Sequence, residues 1–77
     1  MTGTQSDVLV HLAGPIDDAA RTRATDALAA VDGVRSVRGS QRARNLLIVY
    51  YDPRTASTRE VLRSVQSRGF TARLVGF

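Results

Sequence analysis

Apolar and polar positions repeat with two different periods along this chain, and the switches between them mark six segments. "VLVHLAG" (8–14) is a short apolar run ending in glycine, the pattern of a strand covered by its neighbours. Pro15 interrupts it, and Asp17 or Asp18 then offers a carboxylate to the free N–H groups of a helix start. Ala20, Ala24, Ala27, Leu28 and Val31 share one stripe of that helix, and Gly33 supplies the left-handed stop after Asp32. "VRSVRGSQ" (34–41) predicts a second strand, "RARN" a turn, and "LLIVYY" (46–51) a third strand rich in β-branched and aromatic residues. Asp52-Pro53 ends it, because proline cannot donate to a ladder. Ser57 and Glu60 have capping-box spacing, Val61, Leu62 and Val65 form the apolar stripe of a second helix, and Gly69 stops it. "FTARLVGF" (70–77) predicts the fourth strand.

The order β-α-β-β-α-β predicts an α+β fold. It is the ferredoxin-like βαββαβ two-layer sandwich, a four-stranded antiparallel sheet with two helices on one face. Alternation along each strand then sorts side chains by face. Val8, Val10, Leu12, Leu47, Val49, Tyr51, Phe70, Ala72 and Leu74 are assigned to the core beneath the helices. The opposite face receives Leu9, Leu46, Ile48, Tyr50 and Val75, with His11, Arg38 and Arg73 beside them. A contiguous apolar patch on a soluble protein marks an interface. Leu9, His11, Leu46, Ile48, Tyr50, Arg73 and Val75 are therefore the expected partner surface, for another protein or for a homodimer.

Length and composition narrow the rest. Seventy-seven residues make one small domain, expected over 7–77 behind a loose tail over 1–6. A chain this short buries only about 60% of its unfolded surface. With no cysteine, neither disulfides nor thiolate metal sites reinforce it. Packing or a partner must do so. No apolar run approaches the roughly 20 residues that cross a bilayer, so no membrane insertion is expected. The polar start "MTGTQSD" lacks the order of a secretion signal, which makes the cytoplasm the expected compartment. Net charge is +4, and all eleven basic residues are arginines, suited to gripping phosphate or carboxylate. No nucleophile, acid–base pair or phosphate-cradling glycine loop argues for an enzyme.

From Val8 to Val75 the chain resembles the heavy-metal-associated domain of copper chaperones and metal-pumping ATPases. "ALAAVDGVRSV" resembles that family's first-helix end and entry to the second strand. "VYYDPRTASTREVLRSVQSRGFTARLV" resembles its third strand, Asp-Pro turn, second helix and closing strand. The family's metal loop reads Gly-Met-x-Cys-x-x-Cys. Here "GPIDDAA" stands on it: Gly14 matches, Pro15 replaces methionine, Asp17 the first cysteine and Ala20 the second. The resemblance thus implies a kept loop without its ligands. Cu(I) selects thiolates and thioethers, so neither copper nor any other cofactor is expected.

What the resemblance leaves is protein docking, either on the open sheet or beside the former metal loop at Gly14, Arg21 and Arg23. Two other readings compete. One is metal binding or transport through a non-thiolate site using Asp17, Asp18 or His11. The other is nucleic-acid binding in the manner of RNA-recognition folds. There Tyr50 would stack on the open sheet, with Arg35, Arg38, Arg42 and Arg44 around the central hairpin.

Overall fold

Strand β3, Leu46–Tyr51, buries every second side chain, and β1, Ser6–Leu12, does the same from Val8 onward. This alternation fixes which face meets the helices. The computed structural model describes residues 5–41 and 43–75. Its elements run β1, α1 (Asp18–Ala29), β2 (Val34–Gly39), β3, α2 (Thr58–Gln66) and β4 (Ala72–Val75). The sheet order is β2-β3-β1-β4, antiparallel throughout. The central strand β3 is the most apolar of the four, every residue of LLIVYY being aliphatic or aromatic. Val8 faces Val49 and Val10 faces Leu47 in the β1–β3 ladder.

Val8, Val10, Leu12, Leu47, Val49 and Tyr51 meet Ala24, Ala27, Leu28, Val61 and Val65 in one core. Small alanines at the contact let α1 approach the sheet closely, since interaxial distance follows side-chain size. Ile16 and Ala56, both in loops, complete this core. Several sequence expectations shift at the margins. Phe70, Ala72 and Leu74 are half-buried around the core rather than inside it: Ala72 and Leu74 lie on a four-residue edge strand, and Phe70 precedes that strand. Leu62 is half-buried and stands outside the core that its neighbours Val61 and Val65 enter.

Boundaries move too. α1 ends at Ala29, where the Ala30 N–H donates to the Asp26 and Leu28 carbonyls, so Val31 packs from beyond the helix. β1 opens at Ser6, paired with Tyr51, which removes Ser6 from the expected loose tail; residues 1–4 lie outside the described residues. β2 stops at Gly39 rather than residue 41. β4 starts at Ala72 because the Phe70 N–H turns back to the Val65 carbonyl at 3.1 Å; residues 76–77 of the expected strand lie outside the described residues.

Both helices are capped as their spacing predicts. Asp17 is the N-cap of α1, its carboxylate accepting from the Ala20 N–H at 2.7 Å. Ser57 and Glu60 make both halves of a capping box on α2. Gly33 carries φ +97°, and a Cβ there would stand 2.8 Å from that of Thr55, so glycine is demanded twice over.

Gly33 also ties the two halves of the chain, its carbonyl accepting from the Asp52 N–H at 2.8 Å. The Asp52 carboxylate accepts from Arg54 through its backbone N–H at 2.9 Å and its Nε and Nη2 at 3.2 Å each. Arg35, the extra residue of a bulge in β2, adds its guanidinium at 3.8 Å. The side-chain hydrogen bonds from Arg54, then its backbone N–H, hold the Asp52 carboxyl below its ordinary 3.8. A carboxyl whose folded value is depressed stabilises fully above the unfolded value and loses that contribution as pH falls through the folded one. Asp52 is therefore expected to add no slope to the thermal midpoint between pH 7 and about 5, and to contribute a fall below about pH 4. Comparing Asp52→Asn with the natural chain across that range checks it: the variant's acid limb should be shallower.

Candidate functional site

The β1–α1 loop is fastened from both sides. The Ala13 N–H donates to the Thr71 carbonyl at 2.8 Å, and the Leu12 N–H to the Asn45 carbonyl at 2.8 Å. In return the Asn45 side-chain amide donates to the Leu12 carbonyl at 2.7 Å and the Gly14 carbonyl at 2.6 Å. Gly14 turns the chain with φ +85°, and Ile16, only 9% exposed, plugs the loop into the core. Asp17 then starts α1. In the sequence Asn45 is marked only as a turn residue, and Ile16 lies on no periodic stripe.

Each carboxylate in this loop has one partner within the chain. Asp17 spends an oxygen on the helix cap, and the exposed Asp18 carboxylate pairs with Arg44. His11 sits on β1 between Leu46 and Arg73, on the sheet face away from the helices. The sheet thus separates it from Asp17 and Asp18, and the three metal candidates do not converge. Among the described residues no group of three or more His, Cys, Asp or Glu side chains is placed to share an ion. A soft ion selects sulfur, and tight binding of a hard ion takes several convergent protein oxygens. These residues supply neither sulfur nor such a convergent set.

Arg21 and Arg23 leave α1 on opposite flanks. The Arg21 guanidinium lies over Gly39 and donates to the Ser40 carbonyl at 3.2 Å. Beside it runs an open groove of about 490 Å³ between α1 and the end of β2, lined by Asp18, Thr22, Thr25 and Asp26. Arg23 instead stands over the Phe70 ring, 5.8 Å from its centroid. Arg21 and Arg23 thus engage different parts of the chain, one the end of β2 and the other the segment before β4.

The open sheet face gathers all seven expected interface residues. Register arranges them in three ranks across the strands. The first holds Ser36, Tyr50 and Asp7; the second Arg38, Ile48, Leu9 and Val75; the third Leu46, His11 and Arg73. The apolar members and His11 are half-buried by one another, while Asp7, Arg38 and Arg73 are exposed at the margins. Of the arginines expected around the hairpin, Arg38 alone of those described joins this face. Arg35 pairs with Asp52, Arg44 with Asp18, and Arg42 lies outside the described residues.

No protein-family model and no curated protein matches the chain. Solved structures do. Oxidized MerP from Ralstonia metallidurans CH34 superposes with a TM-score of 0.82 at 17% identity, covering 92% of this chain and 97% of that one. A copper binding domain from HMA7, a P-type ATPase, gives 0.81 at 21% identity, with 91% and 93% covered. The apo copper chaperone of Enterococcus hirae gives 0.77 at 16% identity, with 88% and 98% covered. At these identities the likeness is one of fold. It is the ferredoxin-like fold of heavy-metal-associated domains, built here without a cysteine. No helix among the described residues is long and apolar enough to cross a membrane.

Proposed function

We propose that this chain is a non-enzymatic docking module that uses the surface of a heavy-metal-associated fold and none of its metal chemistry. The observation that carries the proposal is the contrast between loop and sheet. The loop's backbone is held by Asn45 and Thr71, while Asp17 caps α1 and Asp18 pairs with Arg44, with no cysteine in the chain. The sheet meanwhile presents a continuous apolar rank, Ile48–Leu9–Val75, to solvent. Such a rank on an antiparallel sheet with one covered face is what a protein partner buries.

A copper chaperone and a copper binding domain from a P-type ATPase share this fold, and the proposal sets this chain in a metal-trafficking context, in the cytoplasm, as a component without metal cargo. It holds no resident metal or other cofactor. Titration with Cu(I), Cu²⁺, Zn²⁺ and Ni²⁺ under reducing conditions tests the reading. We expect no binding tighter than about micromolar, since the oxygen and lone imidazole donors do not converge. A stoichiometric nanomolar site for any of the four would overturn it.

A further inference from the structure

Resting on the reading that the open sheet docks a protein, we infer that its occupant is a second copy of this chain, packed sheet to sheet with strands reversed. The argument comes from how charge is laid out on the three ranks. Asp7 lies at one end of the face, and His11 with Arg73 lies at the other. Between them Ile48, Leu9 and Val75 form the apolar middle.

A face-to-face pair has its two-fold axis in the plane of contact, and the surface must complement itself. An axis running across the strands lays the apolar middle of one copy on that of the other. It also turns each copy's Asp7 end onto the partner copy's His11 and Arg73 end. Sheets stack about 10 Å apart, within the combined reach of an aspartate and an arginine. The carboxylate–guanidinium contact is made twice by symmetry. An axis along the strands does worse, because Asp7 then meets Tyr50 and Arg73 meets no acid. The first axis sets Arg38, at the β2 end of the middle rank, opposite its own copy, a like-charge contact that lowers the affinity and that the exposed, long-stemmed guanidinium relieves by turning outward to solvent.

The size of the face sets the strength. Four strands by three ranks span roughly 19 by 20 Å, well short of the ~800 Å² per partner of a stable interface. The dimer is therefore expected at the weak, concentration-dependent end of protein interfaces.

Sedimentation equilibrium of the full chain from about 10 µM to 2 mM tests this. The average mass should climb from monomer towards dimer across that range. Asp7→Arg should weaken pairing at least tenfold, and Asp7→Arg with Arg73→Asp in one chain should recover it to within threefold. Both positions are exposed strand residues, so circular dichroism should report an unchanged fold. Ile48→Glu should also abolish pairing. A monomer throughout, a dimer indifferent to Asp7→Arg, or a double variant as weak as the single would each overturn the inference. Any of these outcomes would remove this self-pairing while leaving the sheet free to dock a different protein, and the metal-free reading falls separately, to metal binding.

Discussion

Replacing Asp17 and Ala20 together by cysteine is expected to create a Cu(I) site where the natural chain has none. The two positions are adjacent across the first turn of α1: the Asp17 carboxylate already touches the Ala20 N–H at 2.7 Å. The loop that carries them is held independently of both side chains, by Asn45, Thr71 and the buried Ile16. Two thiols at a helix N-terminus also ionise readily, because the macrodipole favours the thiolate. Removing the Asp17 cap costs about 1 kcal/mol. The expected gain in Cu(I) affinity is on the order of a thousandfold or more, about 4 kcal/mol. Competition against a Cu(I) chelator measures it. Should the double cysteine variant bind no better than the natural chain, the loop does not keep the metal-holding shape that the resemblance implies.

Leu28→Ala is the second large effect. Leu28 is fully buried where α1 meets the sheet, among Val10, Leu12, Leu47 and Val49 in the core. Truncating such a leucine removes transfer energy and leaves a cavity, at about 2–5 kcal/mol. A domain of this size holds only about 0.05–0.15 kcal/mol per residue, so the loss takes a large share of its total stability. At about 4–8 °C per kcal/mol the thermal midpoint should fall by roughly 10 °C or more. Leu62→Ala, on the half-buried flank of α2, should cost less than about 1 kcal/mol. Thermal melts of the two variants side by side check the contrast. Equal losses would mean that Leu62 belongs to the core as much as Leu28 does.

That contrast also shows what periodicity reads and where it stops. The stripe Val61, Leu62, Val65 treats all three residues alike, and packing separates them by the angle each makes with the sheet. Strict alternation on β1 and β3 fared better, because a two-residue period leaves no intermediate angle: Val8, Val10, Leu12, Leu47, Val49 and Tyr51 are all buried. The caps were legible for the same local reason, Ser57 and Glu60 being three residues apart and needing nothing distant.

Asn45 was illegible. Its partners are carbonyls of residues 12 and 14, more than thirty positions away, and a backbone oxygen leaves no mark in a sequence. Asp52 read as the end of a strand, and its hold on Arg54 and Arg35 depends on a turn and a bulge that composition does not announce. The separation of His11 from Asp17 and Asp18 was already implied by alternation, and the register on β1 makes it concrete. Sequence position sets Arg21 and Arg23 both beside the loop. Two residues apart on a helix, they diverge, one to Ser40 and one to Phe70.

The central claim is that binding by this chain resides in its surface and not in a bound ion. Native mass spectrometry of the protein purified under reducing conditions, without chelator, tests it most directly. The account predicts that the recovered chains carry no stoichiometric metal. A population of chains each retaining one copper or zinc ion through desalting would contradict it.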